Sequence, residues 1–441
     1  MKNEVLITSI IKNFNKKIRV SGDKSISIRC VLLASQAIGK SKIHNLLESE
    51  DVISALKCIK KLGINYKKKT NFYEIEGLGL EGYKTEGNIK LDAGNSGTLA
   101  RLILGLLVNS KHKIKISGDK SLSKRDFSRV TEPLKEFGVR ITSKKKMLPV
   151  EIAGSNFLRP IKYIEKLGSA QCKSTVMLAA IKTPGITKIK ALKSRNHTEL
   201  FFKNLKIPIK IVSTGKFDFI DIEGQYNYSG FTYKVPGDIS SASFFLVLTL
   251  LSKNSKLLIE GVNINKSRLG IVKILNRMNA NIILKNKKIY KGEAISDILV
   301  NSKKNLKAIK CPASFNSTAI DEFLVIFLVA AKAKGISTFK NLGELNKKES
   351  PRLEIGISFL KKIGIKVVRK GSDINIYGNP SLSLSGNYTV KNFKKDHRVF
   401  MMSCIAALTL GGNWKIKDKD SVNTSFPEFF NIINQLGAKI Y

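Results

Sequence analysis

Gly22-Asp23-Lys24-Ser25-Ile26-Ser27-Ile28-Arg29, running straight into the nearly all-apolar Cys30–Ala37, is the stretch from which the rest of the chain can be read. A short charged turn opens onto a helix whose apolar residues (Ile26, Ile28, Val31, Leu32, Leu33, Ala34) cover most faces. A helix apolar all round is a buried helix. Five further copies of this opening follow, at Asn95-Ser96-Gly97, Ser169-Ala170-Gln171, Asp238-Ile239-Ser240, Asp321-Glu322 and Asp396-His397-Arg398. The period is roughly 70–80 residues, too long for a simple solenoid and right for a small α/β unit.

Working outward, the first copy predicts a helix over Ile26–Ala37 stopped by Gly39, and a strand over Lys42–Leu46. A half-exposed helix over Ser49–Leu62 follows, stopped by Gly63, with acids at its start and lysines at its end as the helix dipole favours. Buried helices are predicted likewise over Thr98–Val108, Ser174–Ile181, Ala242–Leu251, Leu324–Ala333 and Val399–Leu410. Half-exposed helices are predicted over Phe127–Phe137, Thr198–Leu205, Gly270–Met278, Arg352–Ile363 and Phe426–Leu436. Six such copies divide naturally into two bodies of three, with a break near Val235-Pro236-Gly237-Asp238. If the buried helices of a body run parallel, their N-termini face one way. Each start carries unpaired N–H groups and about half a positive charge, so together they suit anions.

Composition narrows the function. The formal net charge is +43 on 441 residues. That permits nucleic acid, an anionic membrane or small anions as partners. Lysine is scattered along the whole length without interleaved aromatics, which reads as a solvated surface and not a base-stacking platform. Cys30, Cys58, Cys172, Cys311 and Cys404 form no CxxC pair, which argues against a disulfide frame or a zinc site and for a reducing compartment. Glu4, and the lack of a small-residue cleavage site after Val5–Ile11, argue against a signal peptide, and the longest apolar run, Phe323–Ala331, is far short of a membrane span. A cytoplasmic protein is expected.

The openings carry the chemistry. Lys24, Ser25 and Arg29 place two cations beside a hydroxyl at a strand-to-helix turn, without the spacing of a Walker loop. Asp92-Ala93-Gly94-Asn95-Ser96-Gly97-Thr98 is a glycine-rich turn that allows close approach of a ligand to the backbone, although a plain capped turn reads the same way. Lys120–Arg125 is a basic loop. Ser169 and Gln171 offer neutral hydrogen-bonding groups, and Ser194–Glu199 reads chiefly as a helix cap. Asp321 and Glu322 precede an apolar helix, where either can act as a cap. Glu349, flanked by Lys348 and Arg352, suits general acid–base work in a site tuned by neighbouring charge.

Taken in order, these stretches resemble the enolpyruvyl transferase family, in the branch acting on shikimate 3-phosphate. The matching segments are Gly22–Arg29, Gly94–Thr98, Lys124-Arg125, Ser169–Gln171, Ser194–Glu199, Gly237-Asp238, Asp321-Glu322, Lys348–Arg352, Asp396–Arg398 and Thr424–Pro427, from Val20 to about Lys439 overall. The resemblance implies an α/β fold of two inverse α/β prism domains, each of three repeated helix–strand units, joined by a two-crossover hinge. Residues 21–237 would form one domain, and 1–20 with 238–441 the other. It implies transfer of the enolpyruvyl group of phosphoenolpyruvate to the 5-hydroxyl of shikimate 3-phosphate by addition–elimination, with no metal and no organic cofactor.

Carried over position by position, the resemblance assigns Lys24, Ser25, Arg29, Ser169, Gln171, Ser194, Asp321 and Lys348 to shikimate 3-phosphate. It assigns Lys24, Asn95, Gly97, Arg125, Gln171, Arg352 and Arg398 to phosphoenolpyruvate. Asp321 would take the 5-hydroxyl proton, Glu349 would move a proton at the methylene carbon, and Lys24 would reach both substrates. Pro351 replaces the family's usual aspartate before Arg352, Asn196 replaces an aspartate, and Thr424 stands where some members have a lysine. Gly97, lacking a side chain, implies inhibition by glyphosate, whereas Leu102, where many members have proline, counts against it. A monomer using small anions, without nucleic acid or membrane, is expected. Alternatives are the sister enzyme acting on UDP-N-acetylglucosamine, a basic nucleic-acid-binding repeat protein, and a retained fold that has lost catalysis. The first uses a loop cysteine absent from residues 109–125, and the second leaves Asp321 and Glu349 unexplained.

Overall fold

Each of the six polar openings leads into a buried helix. The structure, a computed structural model, describes residues 3–441. The buried helices are α1 (Lys24–Gln36), α2 (Gly97–Leu106), α3 (Ala170–Ala180), α4 (Ile239–Leu251), α5 (Phe323–Lys332) and α6 (His397–Leu410). Several begin earlier than their apolar runs suggest: α1 at Lys24 and not Ile26, α3 at Ala170 and not Ser174, α4 at Ile239 and not Ala242. The polar opening residues themselves occupy the first turn, where backbone N–H groups have no partner inside the helix and short polar side chains can meet them. Asp23, Ser96, Ser169, Asp238 and Asp396 each accept a hydrogen bond from a backbone N–H of the turn they precede. Glu322 precedes α5 without capping it.

Gly39 does not stop α1. The helix ends at Gln36 with Ala37 as its cap, and Gly39 is the second residue of the strand Ile38–His44, at φ 88°, a conformation that favours glycine. The half-exposed helices are Glu50–Lys61, Ser128–Glu136, His197–Asn204, Gly270–Arg277, Arg352–Lys362 and Phe429–Gln435. The last begins three residues later than predicted, after the 3-10 turn Lys419–Thr424 and a further turn through Pro427 and Glu428.

The strands repeat one plan. In the second copy, Ile89–Asp92 lies parallel to Ile114–Ser117, which is antiparallel to Val150–Ala153, which in turn is antiparallel to Arg140–Ser143. Four other sheets have this four-stranded order, and the sheet containing the first strand, Glu4–Ile7, has three strands. Two parallel pairings join distant chain segments. Asn15–Arg19 runs beside Lys256–Asn263, and Thr232–Lys234 beside Ile38–His44. In a simple repeat, Asn15–Arg19 would lead into α4 and Thr232–Lys234 into α1. Instead each leads into the other's helix, so the two halves exchange one connection.

Contacts divide the chain into a first unit, Gly22–Val235 with Lys291–Glu293, and a second unit comprising residues 3–21, Pro236–Tyr290 and Ala294–Tyr441. The sequence placed Lys291–Glu293 with the second body; their neighbours put them in the first unit. In the second unit, α4, α5 and α6 are almost wholly buried in one apolar core. There Phe245 meets Phe426 edge-on at 5.9 Å, and Trp414 stacks on Tyr388 at 4.6 Å. Fully burying one such large side chain stabilises by roughly 1.5–3 kcal/mol. All five cysteines are buried and unpaired. No helix among the described residues is long and apolar enough to cross a membrane.

Candidate active site

In the first unit the starts of α1, α2 and α3 meet at one level. Arg29 Nη2 donates to Ser174 Oγ (2.9 Å), Arg101 Nη1 donates to Gln171 Oε1 (2.8 Å), and Thr175 Oγ1 donates to the Arg101 carbonyl (3.0 Å). These contacts gather the first two turns of the three helices in one place. The expected cluster of helix N-termini is therefore present here, with one N–H at each start already taken by its cap.

Lys24 is half-buried, and its Nζ lies 2.8 Å from Asp51 Oδ2. Arg29 is buried, with Nε donating to Thr198 Oγ1 (2.8 Å) and Nη1 to the Ser25 carbonyl (2.9 Å). Burial pulls its proton affinity down to about 10, against the attraction of Glu199, Asp23 and Glu293. Ser194–Glu199 is not mainly a capping motif. Asn196 makes no side-chain cap, and Thr198 turns inward to Arg29 while sharing a hydrogen bond with Ser174 (2.7 Å). Beside it Lys173 and Glu199 form a fully buried pair at 2.5 Å. Ser194 Oγ is buried without a hydrogen-bond partner among the described residues.

Around Gly97 the backbone is held by Asp119. Its Oδ2 accepts from Asn95 Nδ2 (2.6 Å), and its Oδ1 accepts from Leu122 N (2.7 Å). This ties the glycine-rich turn to the loop that carries Arg125. A Cβ placed on Gly97 would lie 2.8 Å from Arg101 Nη1 and 3.0 Å from Arg125 Nη1, so two guanidinium groups flank the bare backbone. Arg101 packs on the Phe127 ring (5.0 Å) and orients Gln171, whose Nε2 donates to Thr98 Oγ1 (2.9 Å). Ser169 caps α3.

In the second unit a carboxylate–cation cluster forms at the starts of α5 and α6. Arg352 is buried; its Nε donates to Asp396 Oδ2 (2.9 Å), its Nη2 to Glu349 Oε2 (2.5 Å) and its Nη1 to Asp321 Oδ1 (3.4 Å). Lys348 Nζ lies 3.5 Å from Asp321 Oδ1, and Arg398 Nη1 donates to the Asp321 carbonyl (3.0 Å). Burial works against the charge on Arg352, but the carboxylates of Asp396, Glu349 and Asp321 outweigh it and hold the proton more firmly than on an ordinary arginine. Glu322, read as a possible cap, instead accepts from Ser240 Oγ (2.5 Å), in a buried set with Arg268 and Asp238. Pro351 does not displace Arg352. It sits just ahead of the helix at φ −72°, where proline fits, and Arg352 opens the helix.

The structure thus brings Lys24, Ser25, Arg29, Asn95, Gly97, Arg125, Ser169, Gln171 and Ser194 into the first unit and Asp321, Lys348, Glu349, Arg352 and Arg398 into the second. The sequence gives no site role to Asp51, Arg101 or Asp119, and marks Thr198 only as part of a capping stretch. Arg101 is one helical turn beyond Gly97, a spacing that places both on one face. Asp51 had been read only as a complement to the helix dipole.

Comparison with known proteins gives the same direction. Residues 8–433 match the family described as EPSP synthase (3-phosphoshikimate 1-carboxyvinyltransferase). The 3-phosphoshikimate 1-carboxyvinyltransferase of Ruthia magnifica is 39% identical over 428 residues, covering 96% of this chain and 95% of that protein. The protein of the same name from Petrotoga mobilis is 37% identical over 441 residues, covering 99% of each. The solved EPSP synthase of Acinetobacter baumannii has a TM-score of 0.87 at 33% identity, covering 99% of both chains. The chain belongs to the EPSP synthase (3-phosphoshikimate 1-carboxyvinyltransferase) family.

Proposed function

We propose that this protein transfers the enolpyruvyl group of phosphoenolpyruvate to the 5-hydroxyl of shikimate 3-phosphate and releases phosphate. The observation that carries the reading is the pair of carboxylates, Asp321 and Glu349, bridged by the single buried guanidinium of Arg352. An addition–elimination needs two opposite proton transfers. A proton must reach the methylene carbon of phosphoenolpyruvate while the 5-oxygen, losing its own proton, bonds to the adjacent carbon. Collapse of the resulting tetrahedral ketal returns a methyl proton to a base and expels phosphate, which restores the double bond.

Asp321 is assigned to the 5-hydroxyl proton and Glu349 to the carbon proton. Lys348, 3.5 Å from Asp321, holds that carboxylate in position. Arg352 and Arg398, with Asn95, Gly97 and Arg125, are assigned to phosphoenolpyruvate. Ser25, Arg29, Ser169, Gln171 and Ser194 are assigned to shikimate 3-phosphate, and Lys24 to both. Preorganised guanidinium and ammonium groups match the phosphates and carboxylates of the two substrates and act on the charge that develops in the ketal. Side chains alone supply this chemistry, and we take a single cytosolic chain, independent of nucleic acid and membrane, as the working unit.

The test is phosphate release from phosphoenolpyruvate with and without shikimate 3-phosphate. Release that depends on shikimate 3-phosphate is expected. Its absence, or release that follows UDP-N-acetylglucosamine instead, overturns the assignment.

A further inference from the structure

The turn Lys291-Gly292 joins two strands of the second unit, Ile283–Tyr290 and Glu293–Asn301, yet Lys291–Glu293 belong by their contacts to the first unit. Lys291 and Gly292 both adopt positive φ (49° and 87°), as a tight two-residue hairpin turn requires. The turn rests on the helix His197–Asn204. Lys291 Nζ donates to the Thr232 carbonyl, and a Cβ on Gly292 would lie 3.4 Å from the Leu200 side chain. Next to it Glu293 Oε1 lies 2.6 Å from His197 Nδ1. The side chains are 1% and 0% exposed. A carboxylate only accepts, so Nδ1 is the donor.

His197 opens the helix whose next residue, Thr198, receives Arg29 Nε. The helix has no side-chain cap of its own, since Asn196 provides none. Its first turn is fixed by two buried acid–base contacts, Glu293 with His197 and Lys173 with Glu199. The first is made by a residue 96 positions away in the chain. A buried carboxylate is retained at a cost unless it is fully paired. Its placement against the turn that aims Arg29 gives it work beyond packing.

We propose that Glu293 is a positioning residue for Arg29: by pairing with His197 it fixes Thr198 Oγ1, the acceptor that aims the Arg29 guanidinium. The inference rests on the proposed assignment of Arg29 to shikimate 3-phosphate. The chain of contacts is short and directional. Glu293 holds the ring, the ring holds the first turn, and the turn presents the hydroxyl. A guanidinium loses its bidentate match to a phosphate when its plane turns, so a small displacement at Thr198 weakens one substrate and leaves the other.

The experiment measures KM for each substrate in Glu293→Ala, Glu293→Gln, Thr198→Val and the Glu293→Ala/Thr198→Val pair. Wild-type turnover dependent on shikimate 3-phosphate is the entry condition, and its failure counts against the proposed reaction and not against this role. Glu293→Ala is expected to raise KM for shikimate 3-phosphate about tenfold, the loss of one hydrogen bond to a charged group. KM for phosphoenolpyruvate should stay within about twofold of wild type. Glu293→Gln keeps an acceptor for Nδ1 and should recover most of the loss. The paired variant should be little worse than Thr198→Val, because both act through one hydroxyl. Unchanged KM for shikimate 3-phosphate, a parallel rise in both KM values, or penalties that multiply in the pair would overturn the role. Should Glu293→Ala fail to fold, Glu293→Asp takes its place: a selective rise for shikimate 3-phosphate supports the role, and wild-type values refute it.

Discussion

Arg352 is held to Asp396 from the side of its stem: Nε donates to Asp396 Oδ2 at 2.9 Å, and the same oxygen receives Ser350 Oγ at 2.7 Å. The outer nitrogens are thereby directed to Glu349 and Asp321. Asp396 also caps α6 through the Arg398 N–H (3.0 Å), so one buried carboxylate sets the position of two arginines assigned to phosphoenolpyruvate.

Asp396→Asn should therefore cost more than a surface change. It keeps the shape but removes the charge opposite a buried guanidinium. Removing one member of a buried ion pair typically destabilises by about 3–5 kcal/mol. The lower end is expected here, because Glu349 and Asp321 remain beside Arg352. Urea unfolding of the variant should show this loss, with kcat/KM for phosphoenolpyruvate reduced about 10- to 100-fold, the value of one charged hydrogen bond. Wild-type stability would mean that Asp396 does not hold the cluster.

The same residue sets a pH dependence. Burial disfavours ionised Asp396, but the Arg352 guanidinium prevails and holds its carboxyl below the ordinary range. A folded value below the unfolded one means that the free state takes up the proton first on acidification. The stabilisation is complete above the unfolded value of about 3.9 and is lost as pH falls through the folded value. The urea midpoint of the wild type should thus decline below about pH 4, and that of Asp396→Asn should decline less steeply. Equal slopes would assign the acid sensitivity to other carboxylates.

Gly97 makes a third, sharper prediction. Any Cβ there would press on Arg101 Nη1 at 2.8 Å and Arg125 Nη1 at 3.0 Å. Both are ends of flexible side chains, so Gly97→Ala should fold normally while shifting the two guanidinium groups. KM for phosphoenolpyruvate should rise roughly tenfold, about one lost or lengthened hydrogen bond. The wild type should be inhibited by millimolar glyphosate, and the variant much less so. Wild-type turnover indifferent to glyphosate would separate this chain from the sensitivity implied by its glycine.

How far these features were readable differs by kind. The six buried helices were legible because runs such as Cys30–Ala37 and Phe323–Ala331 are apolar on most or all faces, a pattern that burial explains. Their starts were misplaced because apolar periodicity begins after the polar first turn, as at Ala170. Gly39 misled for a related reason: its positive φ serves a strand, not a helix end. Lys24, Arg29 and Arg352 stood out as cations at helix openings, but their holders did not. Asp51 is far along the chain from Lys24, and Glu293 from His197, and neither spacing follows a helical or strand period. Such partners are brought together by tertiary packing, which no local pattern encodes.

The two carboxylates give the most direct test of mechanism, because their proposed duties differ. Asp321 faces Lys348 and the Arg352 Nη1 group, while Glu349 faces Nη2 of the same arginine. Asp321→Asn and Glu349→Gln keep size and most hydrogen bonding, so both proteins should fold. Each should lose about 100- to 10,000-fold in kcat, the usual contribution of a positioned acid or base. Solvent exchange separates them. In heavy water the wild type should place deuterium on the methylene carbon of the product during turnover, through the methyl group of the ketal. Single-turnover experiments on Glu349→Gln should show protonation at carbon slowed most, whereas Asp321→Asn should bind both substrates and stall at attack by the 5-oxygen. The double variant should be little worse than the poorer single one, since two groups serving one ketal do not contribute independently. Wild-type turnover in either single variant would remove that residue from the mechanism, and full deuterium incorporation by Glu349→Gln would pass the carbon proton to another group.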